Sequence, residues 1–203
     1  MNAAAPLDLS AVLPGFSDPT KNSQSSFRAI MNATAKPGTI ATFIDAPVPP
    51  ASINKAAGAC LLTLVDQDTK LWLDSALAIQ APQDWVRFHT GAPITAMTGE
   101  AAFALISDLT SLPSLGDFHQ GDAKYPDRAT TLIIMLPNLT SGPKLELKGP
   151  GIETHIHVSP AGLYTAFWEE RADLVSHFQF GIDLMLCADN QLISIPRTTR
   201  ITF

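Results

Sequence analysis

A cationic, hydroxyl-bearing segment near the end of the chain has the residue types needed to bind an anion. It consists of Arg197, Thr198, Thr199 and Arg200. Guanidinium groups offer a planar fork of N–H donors to phosphate oxygens, and threonine hydroxyls add further hydrogen bonds. An ordinary exit strand with alternating polar residues is the alternative. The residues alone favour that alternative, because exposed Arg and Thr are common on edge strands.

A buried hairpin is expected to position this segment. Two apolar runs, residues 181–187 and 193–195, flank Asp189-Asn190, a pair that favours a tight turn. Gly181 begins the first run, and Asp183 lies within it, where its carboxylate is a candidate to orient an arginine. The hairpin then leads through Pro196 into the cationic segment, so an anion site is predicted at its end.

A second candidate anion site lies at the end of a predicted helix over 82–89. Arg87 and His89 precede Thr90-Gly91, which should stop this helix. One interpretation is an anion clamp in which His89 acts as an acid or base. The other is a favourable interaction of two basic groups with the helix dipole. The sequence does not separate them.

Two histidines at alternate positions have the spacing of strand-borne metal ligands. His155 and His157 would project from one face of a strand. A third ligand would have to come from a distant residue such as His119 or Asp183. Two ligands make an incomplete site, so we expect a partly exposed strand face and no metal.

Composition limits the classes of partner. The chain has 203 residues, 46% of them hydrophobic, enough for one α/β domain with a substantial core. Its net charge is −6 and its basic residues are dispersed, so nucleic-acid or anionic-membrane binding is not expected. Two cysteines within apolar runs suggest neither a disulfide framework nor a zinc site. Without a signal-peptide pattern, the expected location is the cytoplasm.

Helix and strand patterns intermix along the chain. Residues 1–17 are expected to form a loose arm, and 18–203 a single α/β domain with a mixed central sheet covered by helices. Residues 107–128, rich in Ser, Pro, Gly and Asp, predict a long irregular connection. A helix within 160–174 should turn Leu163, Ala166 and Phe167 inward, and Glu169, Glu170 and Arg171 outward.

Five short motifs, in order from about residue 20 to the end, resemble the PhnH family of the bacterial carbon–phosphorus lyase system. The five motifs are, in chain order, Phe27–Met31 with Lys36–Gly38, Leu61–Asp66 with Trp72-Leu73, Arg87–Thr90, Gly149–Ile152, and Phe178–Leu184 with Ile195–Thr199. Individually these motifs are weak, but their order along one chain of matching length is specific. The matching positions include Arg87, His89, Gly181, Asp183, Pro196, Arg197, Thr198 and Thr199, and the resemblance assigns them no catalytic role.

The resemblance implies a fold like that of pyridoxal-phosphate-dependent transferases, without the cofactor. It also implies a homodimer within a larger complex that contains PhnG, PhnI and PhnJ. With PhnG, PhnI and PhnL, such a subunit supports the synthesis of ribose 1-methylphosphonate 5-triphosphate from ATP and methylphosphonate. The later radical cleavage uses an iron–sulfur cluster on PhnJ, which this chain, with two separated cysteines, cannot hold itself.

Three hypotheses about function follow. The first is a subunit that is not catalytic alone, which fits the low charge and the lack of a complete catalytic motif. The second is a phosphate- or phosphonate-binding role for Arg197, Thr198 and Thr199. The third is an independent small-molecule enzyme, for which His89 or the His155/His157 pair would be the best candidates.

Overall fold

The computed structural model of the chain describes residues 12–175 and 179–202. Within these ranges the helices are α1 Pro19–Ala35, α2 Lys55–Leu64, α3 Gln80–Thr90 and α4 Thr165–Val175. The strands are β1 Ile40–Thr42, β2 Leu71–Leu73, β3 Ile94–Thr95, β4 Phe103–Ile106, β5 Thr131–Met135, β6 Leu145–Lys148, β7 Ile156–Val158, β8 Asp183–Ala188, β9 Gln191–Ile195 and β10 Arg200–Thr202.

The first two helices begin where polar residues cap them. A side-chain oxygen of Asp18 accepts a hydrogen bond from the backbone N–H of Lys21 at 3.1 Å. Asn54 caps α2 in the same way, through Ala57 N at 2.8 Å. Each cap satisfies one of the backbone donors that a helix start leaves unpaired. Asp and Asn are among the residue types that favour this capping position.

A seven-stranded mixed sheet forms the centre of the fold. Its strand order is β1-β9-β8-β5-β4-β2-β3. Strands β8, β5, β4, β2 and β3 run parallel, whereas β9 is antiparallel to both β8 and β1. The β8–β9 hairpin turns at Asp189, which has a positive φ of 46°. The prediction of a mixed sheet with a tight C-terminal hairpin is confirmed.

Both faces of this sheet are buried. Helices α1, α2 and α3 cover one face, where the core includes Leu105, Ile133 and Trp85. Helix α4 and a three-stranded antiparallel sheet, β10-β6-β7, cover the other face, where the core includes Ile134 and Phe167. A strand buried on both faces must be apolar throughout, which explains the continuous hydrophobic run of β5.

Residues 107–128 form an irregular connection, as predicted. They contain two single-turn 3₁₀ helices, Leu115–Asp117 and Pro126–Arg128, and no α-helix or β-strand. Leu115 and Phe118 are nevertheless buried in the core. The connection is thus anchored to the domain at its middle.

The predicted orientation of two side chains of α4 needs correction. Arg171 is only 1% exposed and points inward, whereas Ala166 is exposed. Of the predicted loose arm, the described residues 12–17 pack on α3, with Phe16 buried and Trp85 Nε1 3.5 Å from Pro14 O. Residues 1–11 lie outside the described residues. Across the described chain, every helix is too short or too polar to span a bilayer.

Candidate functional site

The predicted anion segment begins with a closed turn. We call residues 196–199 the C-terminal turn. The backbone N–H of Thr199 donates to the carbonyl of Pro196 at 2.9 Å, which closes the turn between β9 and β10. Thr199 is fully buried, whereas Arg197 and Thr198 are partly exposed. The side chains of Arg197 and Thr198 therefore reach solvent, whereas that of Thr199 lies in the interior.

Arg171 of α4 holds the C-terminal turn from inside. Its two terminal nitrogens donate to the carbonyls of Pro196, at 2.8 Å, and Thr199, at 3.0 Å. Burial lowers the pKa of Arg171 to about 10, while the Asp183 carboxylate acts in the opposite direction. The guanidinium is charged at neutral pH, so both carbonyls accept charge-assisted hydrogen bonds.

Asp183 and Arg197 are brought together, but through the arginine backbone. Oδ1 of Asp183 accepts from the backbone N–H of Arg197 at 2.7 Å. The Arg197 guanidinium donates through one terminal nitrogen to the carbonyl of Pro126, in the irregular connection. A guanidinium carries five N–H donors, so this contact is compatible with an additional anion ligand.

Glycines allow close backbone packing around the turn. A Cβ on Gly149 would lie 2.9 Å from the Thr198 carbonyl oxygen. One on Gly151, which has φ +82°, would lie 2.1 Å from the Ala35 oxygen at the end of α1. Gly181 packs near Arg197, to which its hypothetical Cβ would approach within 3.4 Å. Three motifs that are distant in sequence thus converge on one place. Phe178, which begins the last motif, lies outside the described residues.

Three buried polar atoms near this region lack a hydrogen-bond partner in the part of the chain that the structure describes. They are Arg171 Nε, Thr199 Oγ1 and Gln120 Oε1. Gln120 is connected to the site because its carbonyl accepts from Gly181 N at 3.0 Å. The region thus retains donors and acceptors for a small polar ligand or a water molecule.

The second predicted anion site lies elsewhere. Arg87 and His89 lie on α3, on the sheet face opposite to the one that α4 covers. Nε2 of His89 is 2.9 Å from the Leu13 carbonyl, and His89 also packs against Gly15. Arg87 and His89 therefore do not join the C-terminal turn in a single site.

An open cavity with mixed charges lies near the amino ends of the parallel strands. Its volume is about 420 Å³, and its lining includes Lys70, Glu100, His119 and Arg128. Nζ of Lys70 lies 2.7 Å from Glu100 Oε2. This hydrogen bond is the main cause of a lowered pKa for Glu100. The cavity can admit a small ligand, but an ion pair already engages two of its charges.

The internal support of the C-terminal turn was not predicted from the sequence. Arg171 was expected to face outward, since arginine is rarely buried. A signal was present nonetheless, since Phe167 and Arg171 are four residues apart in α4 and share a helix face. No periodic pattern indicated that the carbonyls of Gln120 and Pro126 accept hydrogen bonds from Gly181 and Arg197, because both carbonyls belong to the irregular connection.

Comparison with known proteins identifies the family. A family model described as "Bacterial phosphonate metabolism protein (PhnH)" matches residues 14–202. A protein of Rhizobium meliloti (strain 1021), named "Alpha-D-ribose 1-methylphosphonate 5-triphosphate synthase subunit PhnH", is 39% identical over 92% of this chain and 93% of its own length. A protein of Stutzerimonas stutzeri, named "Putative C-P lyase subunit protein HtxG", is 29% identical over 88% of this chain and 85% of its own length. The chain therefore belongs to the bacterial phosphonate metabolism protein (PhnH) family.

Proposed function

We propose that this chain is a subunit of a carbon–phosphorus lyase complex and supports the synthesis of ribose 1-methylphosphonate 5-triphosphate. One observation carries the proposal: 39% identity, over nearly the whole of both chains, to a protein named as a subunit of that synthase. The site chemistry is consistent with a subunit that is not catalytic alone. At the C-terminal turn, the carboxylate of Asp183 and the guanidinium of Arg171 bind backbone groups.

The proposed reaction joins methylphosphonate to the ribose of ATP with loss of adenine. PhnG, PhnI and PhnL are the proposed companions in this step, and PhnJ is the companion that carries the iron–sulfur cluster for later cleavage. This chain would bind no cofactor of its own. Both of its cysteines are buried in the core, which is a poor environment for an exchangeable cluster.

We also propose a fold related to that of pyridoxal-phosphate-dependent transferases, without the cofactor. The mixed seven-stranded sheet between two layers supports the relationship. All seven lysines of the chain have exposed side chains. A Schiff-base lysine is normally activated in a desolvated pocket, and none of these lysines has that environment.

We also propose that the chain forms a homodimer and that it is located in the cytoplasm. Strand β1 is one edge of the central sheet, and it pairs with β9 on its inner side. Exposed apolar side chains lie on α1 and on or next to β1: Phe27, Met31, Ile40 and Ile44. Edge strands with exposed apolar residues favour association. Light scattering of wild type and Ile44→Asp would test this, and an unchanged mass would assign the dimer contact to another surface.

Reconstitution of the synthase tests the main proposal. The chain alone, the companion subunits alone and their mixture would each receive ATP and methylphosphonate, with products followed by phosphorus NMR and adenine release. We expect turnover only in the mixture. Turnover by the chain alone would favour an independent enzyme, and full turnover by the companions alone would show that the chain is dispensable. Recovery of a stable complex on size exclusion provides a separate readout.

A further inference from the structure

Three potential metal ligands converge on the solvent face of the three-stranded sheet. Strand β6 alternates, so Leu145 and Leu147 enter the core while Glu146 faces outward. Glu146 lies directly opposite His157 in the β6–β7 ladder. His155 precedes His157 by two residues and lies on the same face. The two imidazole rings meet edge to face, with their centroids 5.2 Å apart.

The distances between the donor atoms approach those of a metal centre. Nε2 of His157 lies 3.6 Å from Oε2 of Glu146. One ligand atom from each of Glu146, His155 and His157 lies within 4.8 Å of the other two. Ligands bound to a tetrahedral zinc ion at 2.0–2.1 Å are about 3.4 Å apart. The donor atoms of Glu146 and His157 are already near that spacing. The side chains are exposed enough for small rotamer shifts to shorten the remaining distances to His155.

Lys148 leaves one carboxylate oxygen available. Its Nζ lies 2.5 Å from Oε1 of Glu146, so the ammonium holds that oxygen while Oε2 faces His157. A cation that bonds to the distal oxygen of a metal-binding carboxylate fixes the orientation of that carboxylate. Arg200 lies opposite Lys148 in the β10–β6 ladder. Glu146 therefore supplies a single oxygen, from a defined direction.

We propose that Glu146, His155 and His157 bind a divalent transition-metal ion of the Zn²⁺ or Co²⁺ class. Two imidazoles and one carboxylate suit these ions, whereas Mg²⁺ and Ca²⁺ require oxygen ligands. Three protein ligands leave an open position for water or for a group of another subunit. The site is on an exposed sheet face, and it does not depend on the role in the synthase.

Glu146 replaces the third ligands that the sequence suggested. Oδ1 of Asp183 accepts the Arg197 N–H, and Nδ1 of His119 accepts the Gly121 N–H at 3.0 Å. His119 thus provides a matched control, since it is an imidazole outside the cluster. The alternative for the cluster is an exposed His–Glu pair that binds no ion.

Titration of the full chain, purified without a histidine tag, with Zn²⁺ tests the proposal. Calorimetry should show one ion per chain, and Co²⁺ should give the absorption of a low-symmetry site. His155→Ala, His157→Ala and Glu146→Gln should each weaken Zn²⁺ binding by at least about tenfold, because each removes one of three ligands. His119→Ala should bind as wild type does. Circular dichroism would confirm that each variant is folded.

Several outcomes would overturn the site. The first is an absence of stoichiometric binding by the wild-type chain. Another is unchanged affinity in His155→Ala and His157→Ala, or an equal loss in His119→Ala, since both would place the ion elsewhere. Glu146→Gln with wild-type affinity would reject the three-ligand arrangement. As an independent readout, excess Zn²⁺ should raise the melting temperature of wild type more than that of Glu146→Gln.

Discussion

Replacing Arg171 by methionine should destabilise the protein substantially. The variant removes both donors from the Pro196 and Thr199 carbonyls and leaves an apolar side chain of similar length. Thr199 is fully buried, so its carbonyl loses its partner without gaining water. The Pro196 carbonyl still accepts the Thr199 N–H. The two effects are therefore unequal.

The magnitude follows from these contacts. An orphaned buried carbonyl costs about 1–3 kcal/mol, and a lost hydrogen bond to a charged donor about 1.5–3 kcal/mol. Relief of the guanidinium's own desolvation, which lowers its pKa, offsets part of this sum. We expect a net loss of about 3 kcal/mol in the free energy of unfolding. With a urea m-value of about 2 kcal/mol per molar, the midpoint should fall by roughly 1.5 M.

Two further variants separate the contributions. Arg171→Lys keeps a positive charge but cannot span both carbonyls, so it should recover only part of the loss. Arg200→Met removes an exposed arginine from β10 and should change stability by no more than about 0.5 kcal/mol. Equal midpoints for Arg171→Met and Arg200→Met would refute the idea that the buried fork holds the C-terminal turn.

Three other predictions concern the turn and the irregular connection. If Arg197 grips a phosphonate, Arg197→Ala should weaken methylphosphonate binding by on the order of 2 kcal/mol in calorimetry; unchanged affinity in a folded variant would make Arg197 structural. Gly151→Ala should cost at least about 2 kcal/mol in urea unfolding, because its Cβ meets a carbonyl at 2.1 Å, whereas Gly116→Ala meets only an ordinary contact at 3.6 Å and should be near neutral. A hydrogen bond from the backbone N–H of Tyr125 is the main cause of a lowered pKa for Asp122. The stabilisation from Asp122 is therefore complete above its ordinary pKa of 3.8 and is lost as pH falls through the lower pKa of the folded state. Asp122→Asn should reduce the acid-dependent loss of stability, and identical profiles of unfolding free energy against pH for the two proteins would contradict this.

The sequence predicted the framework because its signals are local. The two apolar runs of the C-terminal hairpin, the turn pair between them and the polar composition of residues 107–128 each depend on neighbouring residues. Strand β3 has no such local signal, because a strand of two residues shows no periodicity. Its place is set instead by parallel pairing with β2.

The candidate site was predicted less completely because its contacts are long-range. Asp183 was expected to orient an arginine; its carboxylate accepts the backbone N–H of Arg197 and also acts electrostatically on the Arg171 guanidinium. Arg171 acts across 25 to 28 residues on carbonyls that have no sequence signature. Likewise, Glu146 meets His157 only because β6 and β7 pair in one register. A shift of one residue would move it to the opposite face.

The geometry explains why weak motifs form a specific set. Gly151 packs on the end of α1 and on Pro37, Gly149 packs on Thr198, and Gly181 packs near Arg197. Each motif is short because it supplies only the glycine or the contact that brings these backbone segments close together. This packing fixes the direction in which the chain leaves β9 of the central sheet and pairs, as β10, with β6. Since β6 pairs with both β10 and β7, the same backbone packing also sets the position of Glu146 and His157 relative to the central sheet.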